Sequence, residues 1–353
     1  MAAPKIFEKF RPPPTIDPTN PVKIVRDILT RDLSATDPPI EKKGEILLRY
    51  MMSDRAWSLS IIIPTRNRTP ILTELLQSIA RLHELERIRP EVIVADNNSQ
   101  DNTCSCVASM SKKFPAPLRL LKVTRPGKSA AVNEAVKSAT GEILAFLDDD
   151  VIVDRTWLTA VESFFCGNKY RVGQGLIRLQ SPASNDPEIL KLVQRYRTIP
   201  QLEYDADTEA VHSLNGANFF LHREVFNQAE GLDERLGPGA SGTSEDVDFA
   251  RRLARAGIAI GYAPQAVVYH RVDRERLTEA YFKEIHRRQG ASRLLLRDYS
   301  RAEILFNLSH ALAKYACYSV TGQERRRYRA KGRIHHYLAM IEAKRAQSFG
   351  ARH

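Results

Sequence analysis

Three consecutive carboxylates, Asp148-Asp149-Asp150, close an apolar run at residues 142–147. Side by side they repel one another unless positive charge sits among them. A divalent cation bridging a diphosphate supplies that charge, and hard carboxylate oxygens suit Mg²⁺ or Mn²⁺. The plainer alternative is a solvated acidic loop capping the next helix. Further along, Glu245 and Asp246 open a helical pattern whose buried side reads as Val247, Ala250 and Leu253. Acids in a first turn meet the helix dipole favourably, for about 0.3–1 kcal/mol each, which explains them without function. The alternative is a general base that takes a proton from an acceptor hydroxyl. The glycine-rich loop 237–242 before it fits that job.

His270 ends a short apolar strand. A lone histidine is usually structural, but an imidazole can complete the sphere of a metal held by the acidic triplet. Lys128 follows Pro126 and Gly127 and opens a small-residue helix. A lysine and backbone N–H groups at a helix start suit a diphosphate or nucleotide. The Walker A spacing is absent.

These residues need elements to position them. Residues 59–64 are a short apolar run suited to a buried strand, and 91–95, 118–123 and 142–147 read as further strands. They alternate with helical patterns at 70–85, 101–112 and 128–139. This alternation predicts a doubly wound parallel sheet. Ligands of such sheets bind outside the carboxyl ends of the strands. Thr65-Arg66-Asn67, Asp96-Asn97-Asn98 and the acidic triplet all fall at such ends, so they are expected to line one site. Beyond Asp150 the pattern weakens. It gives a helix at 156–165, a strand at 171–179, a polar insertion at 187–209 and a strand-like run at 213–221. A helix at 244–256 and two short strands at 258–262 and 266–269 follow.

The chain has 353 residues and a formal charge of +11. Residues 271–353 hold 19 Lys+Arg against 8 Asp+Glu, so the whole excess lies there. That segment reads as a basic helical extension, amphipathic at 305–320. It suits an anionic membrane surface or a phosphorylated acceptor, or is simply a solvated helical surface. Residues 1–57 read as a proline-rich arm with short helical patterns at 22–32 and 41–52. No leader-like apolar stretch and no run of about 20 apolar residues is found. The four cysteines lack zinc spacing and read as reduced thiols. The expected location is the cytoplasm or, peripherally, the inner face of the membrane.

Taken in order, the motifs resemble the family 2 glycosyltransferases of the GT-A fold. The matching stretches are Ser60-Ile-Ile-Ile-Pro-Thr-Arg-Asn67, Val92 to Asp101, Gly127-Lys-Ser-Ala-Ala-Val-Asn133 and Ala145-Phe-Leu-Asp-Asp-Asp150. Asn215-Gly-Ala-Asn218, Glu245-Asp-Val-Asp248 and His270 complete them. The resemblance covers about 58–290. It implies a catalytic domain at 58–270, with a nucleotide-sugar half at 58–150 and an acceptor half at 151–270. It further implies that Pro64 and Thr65 border the nucleotide base, and that Asp96 and Asn97 read its edge. Lys128 and Asp148 would lie along the nucleotide and diphosphate, with Asn67 and Asp149 in the same donor site. Asp150 and His270 would bind Mg²⁺ or Mn²⁺. Asp246, supported by Glu245, would be the catalytic base of an inverting displacement.

Two departures matter. Many relatives carry an acid where this chain has Asn97, which leaves the nucleotide base open. The processive members' Q-x-x-R-W segment is also missing. The expectation is therefore a single-sugar transfer, UDP-sugar favoured, to a glycan or lipid-linked hydroxyl in polysaccharide or glycoconjugate assembly. The alternatives are a sugar-1-phosphate nucleotidyltransferase and a nucleic-acid or anionic-surface binder using the basic tail. The first lacks its glycine-rich opening loop. The second has no recognisable nucleic-acid motif, and no nucleic acid is expected.

Overall fold

The computed structural model describes residues 58–350, apart from 168 and 206. The expected arm at 1–57 and its short helices lie outside the described residues. β1 (Leu59–Thr65) is buried along its whole length, as a central parallel strand requires. It leads into α1 (Thr69–Ile79), where Pro70 sits in the first turn and Leu72, Leu75, Leu76 and Ile79 face inward. α1 stops at Ile79 and does not run to 85. A break and the short α2 (Leu85–Ile88) turn Leu82, Leu85 and Ile88 into the same core. β2 (Glu91–Asp96), α3 (Thr103–Ser111), β3 (Leu118–Lys122), α4 (Lys128–Ser138) and β4 (Ile143–Phe146) follow close to the expected boundaries.

Alternation along the strands separates two apolar layers. Ile61 and Ile63 of β1 pack with α1, while Ile62 packs with Ala131, Val132, Ala135 and Val136 of α4. Helices therefore cover both faces. The strand order is β3-β2-β1-β4-β8 (Phe219–His222)-β6 (Val172–Leu179)-β9 (Ile260–His270)-β5 (Val151–Val153), with β7 (Ala210–Val211) also on β9. The first four strands are parallel and paired without a break, Thr65 lying opposite Asp96. Antiparallel pairs enter only in the second half.

That half contains β5 (Val151–Val153), α5 (Trp157–Gly167), β6 (Val172–Leu179), α6 (Pro187–Tyr196), the two-residue β7 (Ala210–Val211) and β8 (Phe219–His222). α7 (Arg223–Gln228), α8 (Glu245–Arg255) and β9 (Ile260–His270) complete it. Three expectations are corrected. The run 213–218 is irregular, because the Gln174 and Asn215 side chains take up its backbone groups. The two short strands at 258–269 are one strand with a bulge, where Gly175 pairs Ala263 but Leu176 pairs Val267. In α8 the inward residues are Phe249, Ala250 and Leu253, whereas Val247 is exposed.

The C-terminal region is helical, as expected. A 3-10 turn (Arg274–Leu277) precedes α9 (Glu279–Leu296), α10 (Arg301–Val320) and α11 (Glu324–Gly350). Leu277 and Phe282 share an apolar cluster with Ile189, Val193 and Tyr196 of α6, which ties these helices to the sheet domain. No helix among the described residues is long and apolar enough to cross a membrane.

Candidate active site

The carboxyl ends of β1 and β4 and the start of α4 surround a cavity of about 310 Å³. Its lining includes Pro64, Thr65, Asn97, Lys128, Asp148, Asp149, Asp150 and His270. Eight of the residues expected at the donor site thus meet at one place. The register of β5 on β9 explains the last pair. Val151 lies opposite His270, so the residue before β5 meets the residue ending β9. His270 Nε2 is 3.3 Å from Asp150 Oδ1, and Nδ1 is held by the Arg271 carbonyl at 2.7 Å. The backbone contact fixes which ring nitrogen faces the carboxylate.

The three aspartates have different partners. Asp148 Oδ1 contacts Lys128 Nζ at 2.5 Å, and the same Nζ is 3.3 Å from Glu245 Oε1. Burial alone would lower the Lys128 pKa, but Asp148 and Glu245 outweigh it and hold the ammonium charged well above its ordinary range. Asp149 is buried and accepts from Thr65 Oγ1 at 2.7 Å and from Arg68 Nη1 at 2.8 Å. Burial, opposed by Arg68, pushes its carboxyl up to about 6. Asp150 is held by Arg68 at 3.1 Å and Arg276 at 3.2 Å, besides His270. Burial would raise it, but His270, Arg276, Arg68 and Lys128 bring it below the usual carboxylate range.

Asp246 and Glu245 stand beside this cavity, at the start of α8. Asp246 accepts from its neighbour Val247 N at 2.8 Å and from Gly216 N at 3.3 Å. Burial, and then the charge of Glu245, push Asp246 up to about 7. The loop bearing Gly216 is pinned from below. Asn218 Oδ1 accepts from Trp157 Nε1, and its Nδ2 donates to the Leu176 and Ala266 carbonyls. A Cβ on Gly216 would stand 2.8 Å from Lys128 Nζ, so only glycine leaves room for the lysine.

Other expected residues act as braces. Asn97 donates to the Val123 and Arg125 carbonyls and accepts from Gly127 N, so its amide shapes the 123–127 turn. Lys128 N donates to the Pro238 carbonyl, so this N–H at the start of α4 is already engaged. Asp96 is buried outside the lining and accepts from Ser99 N. Asn67, at φ 54°, accepts from Gln100 N and latches the β1 loop to the β2 loop. Sequence reasoning missed Arg68 and Arg276. Arg68 follows the Thr65-Arg66-Asn67 cluster directly. Arg276 was grouped with the basic tail, yet its turn folds back, held by Thr198 Oγ1 at 2.5 Å from its carbonyl.

Among the described residues no three His, Cys, Asp or Glu side chains converge as a metal cage. Asp150 and His270 nonetheless form an oxygen and imidazole pair on the cavity wall, a donor set that suits Mn²⁺ or Mg²⁺. An ion held there would supply positive charge facing a bound diphosphate.

A wall of carboxylates and cations outside the ends of parallel strands, with an elevated carboxyl beside it, is the layout of a GT-A glycosyltransferase. Residues 56–291 match the family model Glycosyltransferase like family 2, and the chain belongs to that family. It is 29% identical over 250 residues to the Succinoglycan biosynthesis protein ExoM of Rhizobium meliloti, covering 70% of this chain and 78% of that one. It is 23% identical over 212 residues to the Glycosyltransferase AglE of Haloferax volcanii, covering 60% and 66%. Among solved structures, the mannosyltransferase PcManGT from Pyrobaculum calidifontis, in complex with GDP-Man and Mn²⁺, superposes with a TM-score of 0.53. Sequence identity there is 19%, with 92% of this chain and 97% of that one covered. At that identity the likeness establishes the shared fold.

Proposed function

We propose that this glycosyltransferase moves one sugar from a nucleotide-diphosphate sugar, a UDP-sugar favoured, to a hydroxyl of a glycan or glycolipid. The reaction belongs to polysaccharide or glycoconjugate assembly, a reading supported by the likeness to a succinoglycan biosynthesis protein. The observation that carries this reading is Asp246, a carboxyl raised to about 7 beside a cavity walled by Lys128, Asp148, Asp150 and His270. A base with a pKa near the working pH is ionised often enough to accept a proton and strong enough to pull it.

In the proposed step the acceptor hydroxyl gives its proton to the Asp246 carboxylate. Its oxygen bonds to the anomeric carbon as the bond from that carbon to the diphosphate breaks. One displacement inverts the configuration. The Gly216 and Val247 N–H groups hold Asp246 and Lys128 holds Asp148, while Arg68 and Arg276 keep Asp150 ionised. A Mn²⁺ or Mg²⁺ ion on Asp150 and His270 would supply positive charge to the departing diphosphate. Thr65 and Pro64 border the base pocket. In this reading the enzyme works in the cytoplasm at the inner face of the membrane, where it would meet a lipid-linked acceptor.

A panel of nucleotide-sugars, each with Mn²⁺, Mg²⁺ or chelator, tests the proposal through nucleoside diphosphate release and thermal stabilisation. Metal-dependent release from one donor is expected. A protein that ignores every donor but binds nucleic acid with a steep salt dependence would overturn it.

A further inference from the structure

Helix α10 packs against α11 through the buried side that carries Ile304 and Ala311. Its outward side carries large apolar side chains from Leu305 to Val320, about 22 Å at the usual rise. Leu305 is 56% exposed, Phe306 71%, Leu312 49% and Val320 89%. The other exposed positions between 302 and 320 are alanine, serine, cysteine and one histidine, so no exposed charge interrupts the face. A contiguous apolar surface of this length marks an interaction site.

Positive charge gathers next to it. Arg325, Arg329 and Arg333 are exposed at successive turns of α11, which begins four residues after Val320. None of the three makes an ion pair with a described residue. Arg197 ends α6, which packs against α11. Burial, and then the charges of Arg329 and Arg325, push the Arg197 pKa below the usual guanidinium range. Like charges held together without an acid between them form a patch suited to an anionic partner. From Arg197 the chain runs through Thr198, which holds Arg276, to Pro200 on the cavity wall.

We propose that the outward face of α10 and the Arg197, Arg325 and Arg329 cluster dock this enzyme on an anionic lipid bilayer. In this arrangement α10 lies in the headgroup plane. A second copy is a poor occupant, because the chain's entire positive excess lies in 271–353 and two such regions would repel. A soluble polyanion would leave the apolar face uncovered. A bilayer satisfies both features at once, through apolar burial and attraction to anionic lipid. The inference deepens the peripheral-membrane reading above and rests on it, but its test reads binding apart from transfer.

The full chain is floated with phosphatidylcholine vesicles and with vesicles containing phosphatidylglycerol, at low and high salt. Wild type is expected on the anionic vesicles, less so at high salt. Phe306→Ser with Leu312→Ser, and separately Arg325→Gln with Arg329→Gln, should each weaken partitioning by about tenfold or more. All four residues are exposed or half-exposed, so folding is retained, and donor hydrolysis in solution should stay at the wild-type rate. Equal binding to neutral and anionic vesicles, or to neither, overturns the proposal. So does a concentration-dependent doubling of mass abolished by Phe306→Ser, which assigns the face to a second copy. Loss with the arginine pair and none with the apolar pair would point to a soluble polyanion and overturn it equally.

Discussion

Asp246 sits where two requirements conflict. A carboxylate that is to take a proton must be ionised in use, yet burial and the neighbouring Glu245 favour its protonated form, raising it to about 7. The free enzyme should therefore show kcat/KM falling as pH drops below about 7 and level above it. The same shift has a stability consequence with a definite sign. The folded state binds this proton more tightly than the unfolded chain, so stability declines as pH rises from the ordinary aspartate range to about 7. Asp246→Asn should accordingly melt above wild type at pH 8, and the gap should close towards pH 4. Thermal melts across that window check this, and a gap that widens in acid would refute it. Asp150 behaves in the opposite way, because His270 and two arginines hold it ionised. Asp150→Ala should lower nucleotide affinity by about tenfold or more with Mn²⁺ present and leave binding in chelator unreduced. Calorimetry with UDP, with and without metal, reads the difference.

At the scale of elements, the site depends on a small loop seated by buried amides. Asn218 and Gln174 fix residues 215–218 against β6 and β9, and this places Gly216 against Lys128 and Asp246. Gly216→Ala puts a methyl where Lys128 Nζ stands. The lysine end is flexible, so the fold should hardly notice, with a melting temperature near wild type. The ammonium must nevertheless leave Asp148 and Glu245, and kcat/KM should fall about ten- to a hundredfold. Steady-state kinetics beside a melt separates the two effects. The apolar runs that became β1, β2 and β4 were readable from sequence, because buried parallel strands need unbroken hydrophobic stretches. The polar clusters at their ends were readable for the same reason. β5 was not, since three residues carry no period, and it is β5 that brings His270 to Asp150. The irregular 213–218 run read as a strand because side-chain amides, not a ladder, satisfy its backbone.

Over the whole molecule, the C-terminal helices belong to the working enzyme. Leu277 and Phe282 pack on α6, and the turn between β9 and α9 delivers Arg276 to Asp150. No spacing rule reveals such a return of the chain, so Arg276 looked like one more charge in a basic tail. The net charge of that tail was legible, but not which side of α10 faces outward, because alanine and leucine occur around the whole helix. Close helix approach here relies on glycine. A Cβ on Gly290 of α9 would lie 2.2 Å from the His336 carbonyl oxygen of α11, a backbone atom that cannot step aside. Gly290→Val should cost about 1–3 kcal/mol of stability, read as a lowered denaturation midpoint.

Asp246 is proposed to remove the acceptor proton in a donor site built from the acidic triplet. The most direct measurement compares wild type and Asp246→Asn for sugar transfer, alongside calorimetric binding of the same nucleotide-sugar with Mn²⁺. Transfer should fall about a hundred- to ten-thousandfold while donor affinity stays close to wild type. An Asp246→Asn enzyme that transfers at the wild-type rate would contradict the account.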